Sequence, residues 1–202
     1  MKVSKITSFV LAAAMLVMPL TGCNTEKKPV SSGINVISTQ SQNGLEGENG
    51  GKIDPNAASS NFVFKYNDIN IVVNTNMADI EGKFDPKSYT KKDQVSCIGA
   101  AGKDWVYTFN GGSFTIVAVP AGNDYSIYQI ILSDDSVSTA EGICIGSTLE
   151  QVKAAYGEPV ADKSDDRMLT YEKGSSVLMI VVSEDEETHK TTVESIMYQG
   201  VV

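Results

Sequence analysis

The feature that most constrains this chain is an internal repeat. Ile71-Val72-Val73-Asn74-Thr75-Asn76-Met77-Ala78-Asp79-Ile80, followed by Phe84, has a counterpart in Ile143-Cys144-Ile145-Gly146-Ser147-Thr148-Leu149-Glu150-Gln151-Val152, followed by Tyr156, at a constant offset of 72. Met77, Ile80 and Phe84 keep the i, i+3, i+7 spacing of one helix face, and so do Leu149, Val152 and Tyr156. Ser147-Thr148-Leu149-Glu150 has the pattern of a capping box, and Gly157 followed by Pro159 stops the second helix. In the first copy Thr75 takes the cap position and Asp85-Pro86 stops the helix near Phe84.

Each helix is followed by a loop and then by strands. Asp104 to Phe109 turns through Asn110-Gly111-Gly112 into Ser113 to Val119, and Arg167 to Tyr171 turns through Glu172-Lys173-Gly174 into Ser175 to Val182. Ile127 to Leu132 and Val193 to Tyr198 each supply one more strand. Gly-rich turns between β-branched and aromatic runs are the hairpin signal. The expected fold class is α+β: two tandem copies, residues 62–136 and 137–202, each an opening strand, a helix and a three-stranded antiparallel meander. Tyr89 to Asp104 is expected to be a long loop in the first copy.

Upstream of the repeat the composition changes. Asn24 to Asn61 contains no aromatic residue and is dominated by Ser, Gly, Asn and Gln. Such a stretch buries too little apolar surface to offset its ordering entropy. Residues 23–61 therefore read as a disordered tether with an end-to-end distance of about 35 Å. Aromatics return at Phe62-Val63-Phe64-Lys65-Tyr66, which sets the expected domain boundary. Residues 1–22 have the anatomy of a secretory signal peptide: Lys2 and Lys5, the apolar run Ile6 to Leu20, and small residues beyond it. That run is shorter than the ~20 apolar residues a permanent spanning helix needs.

Leu20-Thr21-Gly22-Cys23 resembles the lipobox of bacterial lipoproteins. The resemblance implies cleavage before Cys23, diacylglycerol on its sulfur, and a mature protein anchored in the cell envelope facing away from the cytoplasm. The net charge of −9 argues against nucleic acid as a partner, because nothing offsets phosphate repulsion. Anionic headgroups repel the same charge, so membrane attachment is expected to rest on the Cys23 lipid.

Gly146-Ser147-Thr148-Leu149-Glu150-Gln151-Val152-Lys153-Ala154-Ala155-Tyr156-Gly157-Glu158-Pro159, with the strands after it, resembles tandem-repeat lipoproteins whose fold is similar to the β-lactamase inhibitory protein. The resemblance covers roughly residues 62–200 and implies two copies joined so that their sheets form one concave surface. The same helix is similar to that of the small lipoprotein of the outer-membrane barrel-assembly machinery, a single-copy family. The inhibitory protein closes a disulfide inside each copy, whereas here one cysteine falls in each half.

Catalytic machinery is thin. The single histidine, His189, sits in the charged segment Ser183 to Lys190, where solvation is the ordinary state, and one imidazole cannot make a multi-histidine zinc site. The chain has no Gly-x-Ser-x-Gly elbow, and Gly99 to Asp104 lacks the spacing of a phosphate loop. Carboxylate chemistry would need two buried acids, but the acidic residues cluster at expected turns. The loops Asp162 to Asp166 and Glu184 to Glu187 lack the spacing of a calcium loop. No cofactor, no metal and no enzymatic activity are expected. With Cys23 acylated, Cys97 and Cys144 are the remaining thiols, and either a bridge between them or a buried free thiol at Cys144 fits an exported domain.

Surface character points to binding. Phe114 to Val119 and Val177 to Val182 are apolar on both faces, and a helix covers only one. Trp105 shares a face with Tyr107 and Phe109, but its counterpart in the second copy is Arg167, so it is the aromatic expected nearest the surface. The sequence thus points to a protein or peptide partner held on the uncovered sheet faces, with Trp105 near the centre. An envelope-assembly lipoprotein and a carboxylate-based hydrolase are the alternatives.

Overall fold

A computed structural model describes residues 50–96, 98 and 101–201. The signal peptide, Cys23, Cys97 and the tether as far as residue 49 lie outside the described residues. Thirteen elements follow in chain order: α1 (Ala57–Ser60), β1 (Phe64–Tyr66), β2 (Ile69–Ile71), α2 (Ala78–Glu81), β3 (Tyr89–Val95), β4 (Lys103–Phe109), β5 (Phe114–Ala121), β6 (Asp124–Leu132), α3 (Leu149–Tyr156), a 3-10 turn (Ala161–Lys163), β7 (Met168–Lys173), β8 (Ser176–Glu184) and β9 (Thr191–Gly200).

Seven strands form one antiparallel sheet in the order β3-β4-β5-β6-β9-β8-β7. The meanders β4-β5-β6 and β7-β8-β9 are thus joined through their last strands, Gln129 to Leu132 of β6 pairing with Ile196 to Gln199 of β9. Register carries single rows of side chains across the whole sheet. One core row runs Tyr89, Phe109, Phe114, Leu132, Ile196, Ile180, Leu169; the next runs Lys91, Tyr107, Ile116, Ile130, Tyr198, Leu178, Tyr171. Apart from the edge residues Tyr89 and Lys91, every member of these rows is buried. Burying one such side chain stabilises the fold by roughly 1.5–3 kcal/mol.

Three small pieces cover this face. Phe84, just past α2, packs edge-on against Phe109 with ring centroids 4.8 Å apart. The β1-β2 hairpin lies across the seam, Phe64 touching Phe114 of β5 at 5.0 Å and Tyr198 of β9 at 6.2 Å. On the other side α3 seats Val152, fully buried.

The differences from the sequence expectations have local causes. The helix expected over Met77 to Phe84 is one turn, Ala78–Glu81, and Thr75 is not its cap. The Thr75 hydroxyl instead donates to the Val72 carbonyl, while residues 74–77 exchange backbone hydrogen bonds with Tyr125 and Ile127 of β6. Strand pairing takes the residues that would have begun the helix. In α3 the capping box is shifted by one residue: Thr148 accepts from Gln151 N–H, and the Gln151 side chain accepts from Thr148 N–H. The expected opening strand at Ile143 to Ile145 is a turn, with Cys144 N–H donating to Ser147 Oγ. Tyr89 to Asp104 is not all loop, because Tyr89–Val95 forms the edge strand β3. Its run Thr-Lys-Lys-Asp-Gln is exposed, and an exposed edge leaves no alternation to read.

The packed region also begins before Phe62. Gly51 N–H donates to the Pro120 carbonyl at 2.7 Å, Ala57 is fully buried, and Asn61 is 1 % exposed. A polar cluster fastens this segment: Asn61 Nδ2 donates to Val73 O, Ser175 N–H donates to Asn61 Oδ1, the Ser175 hydroxyl donates to Asp54 Oδ2, and Asn74 Nδ2 donates to the carbonyls of Ser175 and Val201. Gly200 lies so close to this cluster that a Cβ there would stand 2.1 Å from Asn74 Oδ1.

Candidate functional site

The sheet face opposite the core carries two further rows. One runs Lys92, Val106, Val117, Gln129, Gln199, Val177, Glu172; the other runs Thr90, Thr108, Thr115, Ile131, Met197, Met179, Thr170. Val181 and Met168 extend it in the second meander. Val106, Ile131, Met168, Val177, Met179, Val181 and Met197 are half-buried, and none belongs to the hydrophobic core. At the β6-β9 seam Gln129 Nε2 donates to Gln199 Oε1 at 3.1 Å and lies 3.5 Å from Met197 Sδ. In these rows charge occurs only at the ends, Lys92 on β3 and Glu172 on β7.

This arrangement follows from strand composition. β8 alternates Leu178, Ile180, Val182 on the core side with Val177, Met179, Val181 on the other, so a strand apolar on both faces presents the second face outward. Two residues of these rows are buried, Val117 at 8 % exposure and Thr170 at 4 %, the latter because the segment after α3 folds over the β7 edge. Val160 N–H donates to Thr170 O, Ser164 Oγ accepts from Thr170 N–H, and the Thr170 hydroxyl donates to Lys163 O.

Trp105 is not on that face. It pairs with Ala118 and lies on the core side beside Tyr107, half-buried at the margin of the sheet. The alternation with Tyr107 and Phe109 decides its side, and the mismatch with exposed Arg167 reports only that it stands at the margin. There it lines a cleft of about 160 Å³ with Met77, Glu81, Lys91, Tyr107 and Tyr125. The Lys91 ammonium lies 4.7 Å from the Trp105 ring centroid and 4.8 Å from that of Tyr107, and donates to Glu81 Oε1 at 2.8 Å. Burial works against the charge on Lys91, but hydrogen bonds to Glu81 and Tyr107 outweigh it and raise its pKa. Burial pushes the Tyr107 phenol up to about 12, against the pull of Lys91. A second cleft, of about 290 Å³, lies in the other half among Phe62, Tyr156, Tyr171 and Lys173.

The other sequence candidates are not brought together. Cys144 is a free, half-buried thiol with Sγ 3.6 Å from Ser147 Oγ, the second of the two alternatives, and Cys97 lies outside the described residues. His189 is exposed and pairs with Glu184 at 2.8 Å. Asp165 and Asp185 cap turns: each accepts two backbone N–H bonds, and their pKa values are lowered, in Asp165 by those bonds and in Asp185 first by the Thr188 hydroxyl. Among the described residues no group of acidic, histidine and cysteine side chains is placed to hold a metal, and no helix is long and apolar enough to cross a membrane. Sequence reading missed the Gln129–Gln199 pair and the Lys91–Glu81 pair. The first had a signal, since each glutamine interrupts an apolar strand; the second joins a one-turn helix to an edge strand and had none.

Compared with known proteins, the chain matches no family model, no curated protein and no solved structure.

Proposed function

We propose that this chain is a membrane-anchored extracytoplasmic lipoprotein whose folded domain binds a protein or peptide on the open face of the seven-stranded sheet and catalyses nothing. The observation that carries the reading is the make-up of that face: valine, isoleucine and methionine around a central glutamine pair, threonines among them, and charge only at the two ends. A stable protein interface has this anatomy, an apolar centre depleted in charge with a polar rim. Three methionines, Met168, Met179 and Met197, add side chains that repack around different partner shapes. The anchor is the Cys23 lipid, which the lipobox pattern supports. We read the two meanders and their helices as tandem copies similar to the β-lactamase inhibitory protein, supported by the shared strand order around the β6-β9 seam.

The test is carried out on the full-length protein in its own envelope. A photo-crosslinking residue replacing Met179 should yield a discrete protein adduct, and one replacing Lys153 on the outer side of α3 should not. Adducts only from position 153, or from neither, would overturn the docking face. Intact mass of the membrane-extracted protein should show a diacylglyceryl group that Cys23→Ser abolishes.

A further inference from the structure

We propose that the cleft beside Trp105 is a receptor for an alkylammonium group, and that Lys91 of this chain is its resident plug. The cleft lies on the core side of the sheet, so its use is independent of the docking face proposed above. Its walls have the chemistry such a group requires. The Trp105 and Tyr107 rings present their faces to one point, the Tyr125 ring stands edge-on to Trp105 at 6.3 Å, and Glu81 and Asp124 supply carboxylates. A cation over aromatic faces is drawn by their quadrupoles, and a carboxylate beside them adds charge and a hydrogen-bond acceptor. The occupant in the structure is itself an alkylammonium, the Lys91 side chain, at 2.8 Å from Glu81.

Two observations set this apart from a mere surface ion pair. Lys91 stands on β3, the outermost strand, whose only neighbour in the sheet is β4, so its side chain can leave the cleft without unmaking any core contact. The other half has an aromatic cleft of its own, but there Lys173 stands off at 5.8 Å over Phe62, and among the described residues no strand corresponds to β3. The incoming group is a primary ammonium on an unbranched stem, as in a lysine side chain of a peptide or a free small amine.

Trp105 is the only tryptophan in the chain, so intrinsic fluorescence reads the cleft directly. Full-length Lys91→Ala should give a saturable fluorescence change with n-butylammonium, at an apparent affinity about tenfold or more above the unsubstituted protein, because an occupied cleft multiplies the affinity by its small open fraction. Adding Glu81→Gln to Lys91→Ala should weaken that binding. A lysine-containing peptide binding more tightly than n-butylammonium identifies a peptide as the source, and the reverse order identifies a free amine. The proposal is overturned if Lys91→Ala melts as the parent does yet shows no saturable change. It is equally overturned if acetate saturates the parent and not Lys91→Ala, which would make Lys91 an anion ligand. Should Lys91→Ala fail to fold, Lys91→Thr, a better strand former and too short to reach the rings, is read in the same way. Failure of both to fold would make Lys91 a structural clamp and end the proposal.

Discussion

The two halves of the sheet stabilise their helices in opposite ways. The first half holds a single turn, α2, with no side-chain hydrogen bond at its cap, but its neighbourhood buries Met77, Ile80 and Phe84 to between 1 % and 7 % exposure. The second half holds two turns, α3, with a complete capping box and a terminal Gly157 at φ 79°, yet only Val152 is fully buried. Leu149 and Tyr156, the equivalents of Met77 and Phe84, are half-exposed. Where tertiary packing is generous, a helix persists as a fragment without local support; where packing is sparse, local signals must carry it.

Substitutions should divide along this line. The largest effect is expected at Val152→Asp, which places an unpaired charge at the one fully buried contact of α3 and should cost several kcal/mol, abolishing the cooperative melt. If that variant melts normally, α3 does not depend on Val152 and the comparison collapses. Next, Thr148→Ala should cost about 1 kcal/mol by removing the cap, whereas Thr75→Ala should cost less, because its hydroxyl bonds a single carbonyl outside α2. Urea denaturation of the two variants measures the contrast directly. The smallest effect concerns the first half alone. The raised pKa of Lys91 favours its charged form in the folded state, a contribution present below the ordinary lysine value and lost as pH rises through the raised one. Tyr107, pushed up to about 12, is destabilising once the unfolded phenol ionises near pH 10. Both act at alkaline pH, so the melting temperature should fall above about pH 10, and Lys91→Ala should flatten part of that fall.

How legible these halves were in the sequence follows the same physics. All six strands of the two meanders were readable within a few residues, because Gly-rich turns and apolar alternation are local and unambiguous. So was α3, whose cap and stop are written in adjacent residues. The edge strand β3 was not, since Lys91, Lys92, Asp93 and Gln94 carry no buried face. The early start of the packed region was also hidden. Asn61 is held by Ser175, more than a hundred residues away, and such side-chain pairing leaves no periodic trace. For the candidate surface, the apolar outer face of β8 could be anticipated from Val177, Met179 and Val181. The side on which Trp105 lies could also be anticipated, from its alternation with Tyr107. The Lys91 cation over its ring could not.

The polar cluster around Asn74 bears on how the domain would respond to being pulled. Asp54 N–H donates to the Asn74 carbonyl, and the Asn74 side chain donates to the Val201 carbonyl, so the two ends of the folded region meet at one residue. Tension entering along the chain from the amino-terminal side therefore meets the bonds of Gly51 and Lys52 to β5 and β6 first, then Asp54 and Asn61, where it is shared with the β7-β8 turn through Ser175. Several hydrogen bonds must yield together rather than one after another, which is the mechanical difference between a clasp and a zipper. If the domain is anchored from its amino-terminal side, as proposed, such a clasp would resist unravelling under that pull.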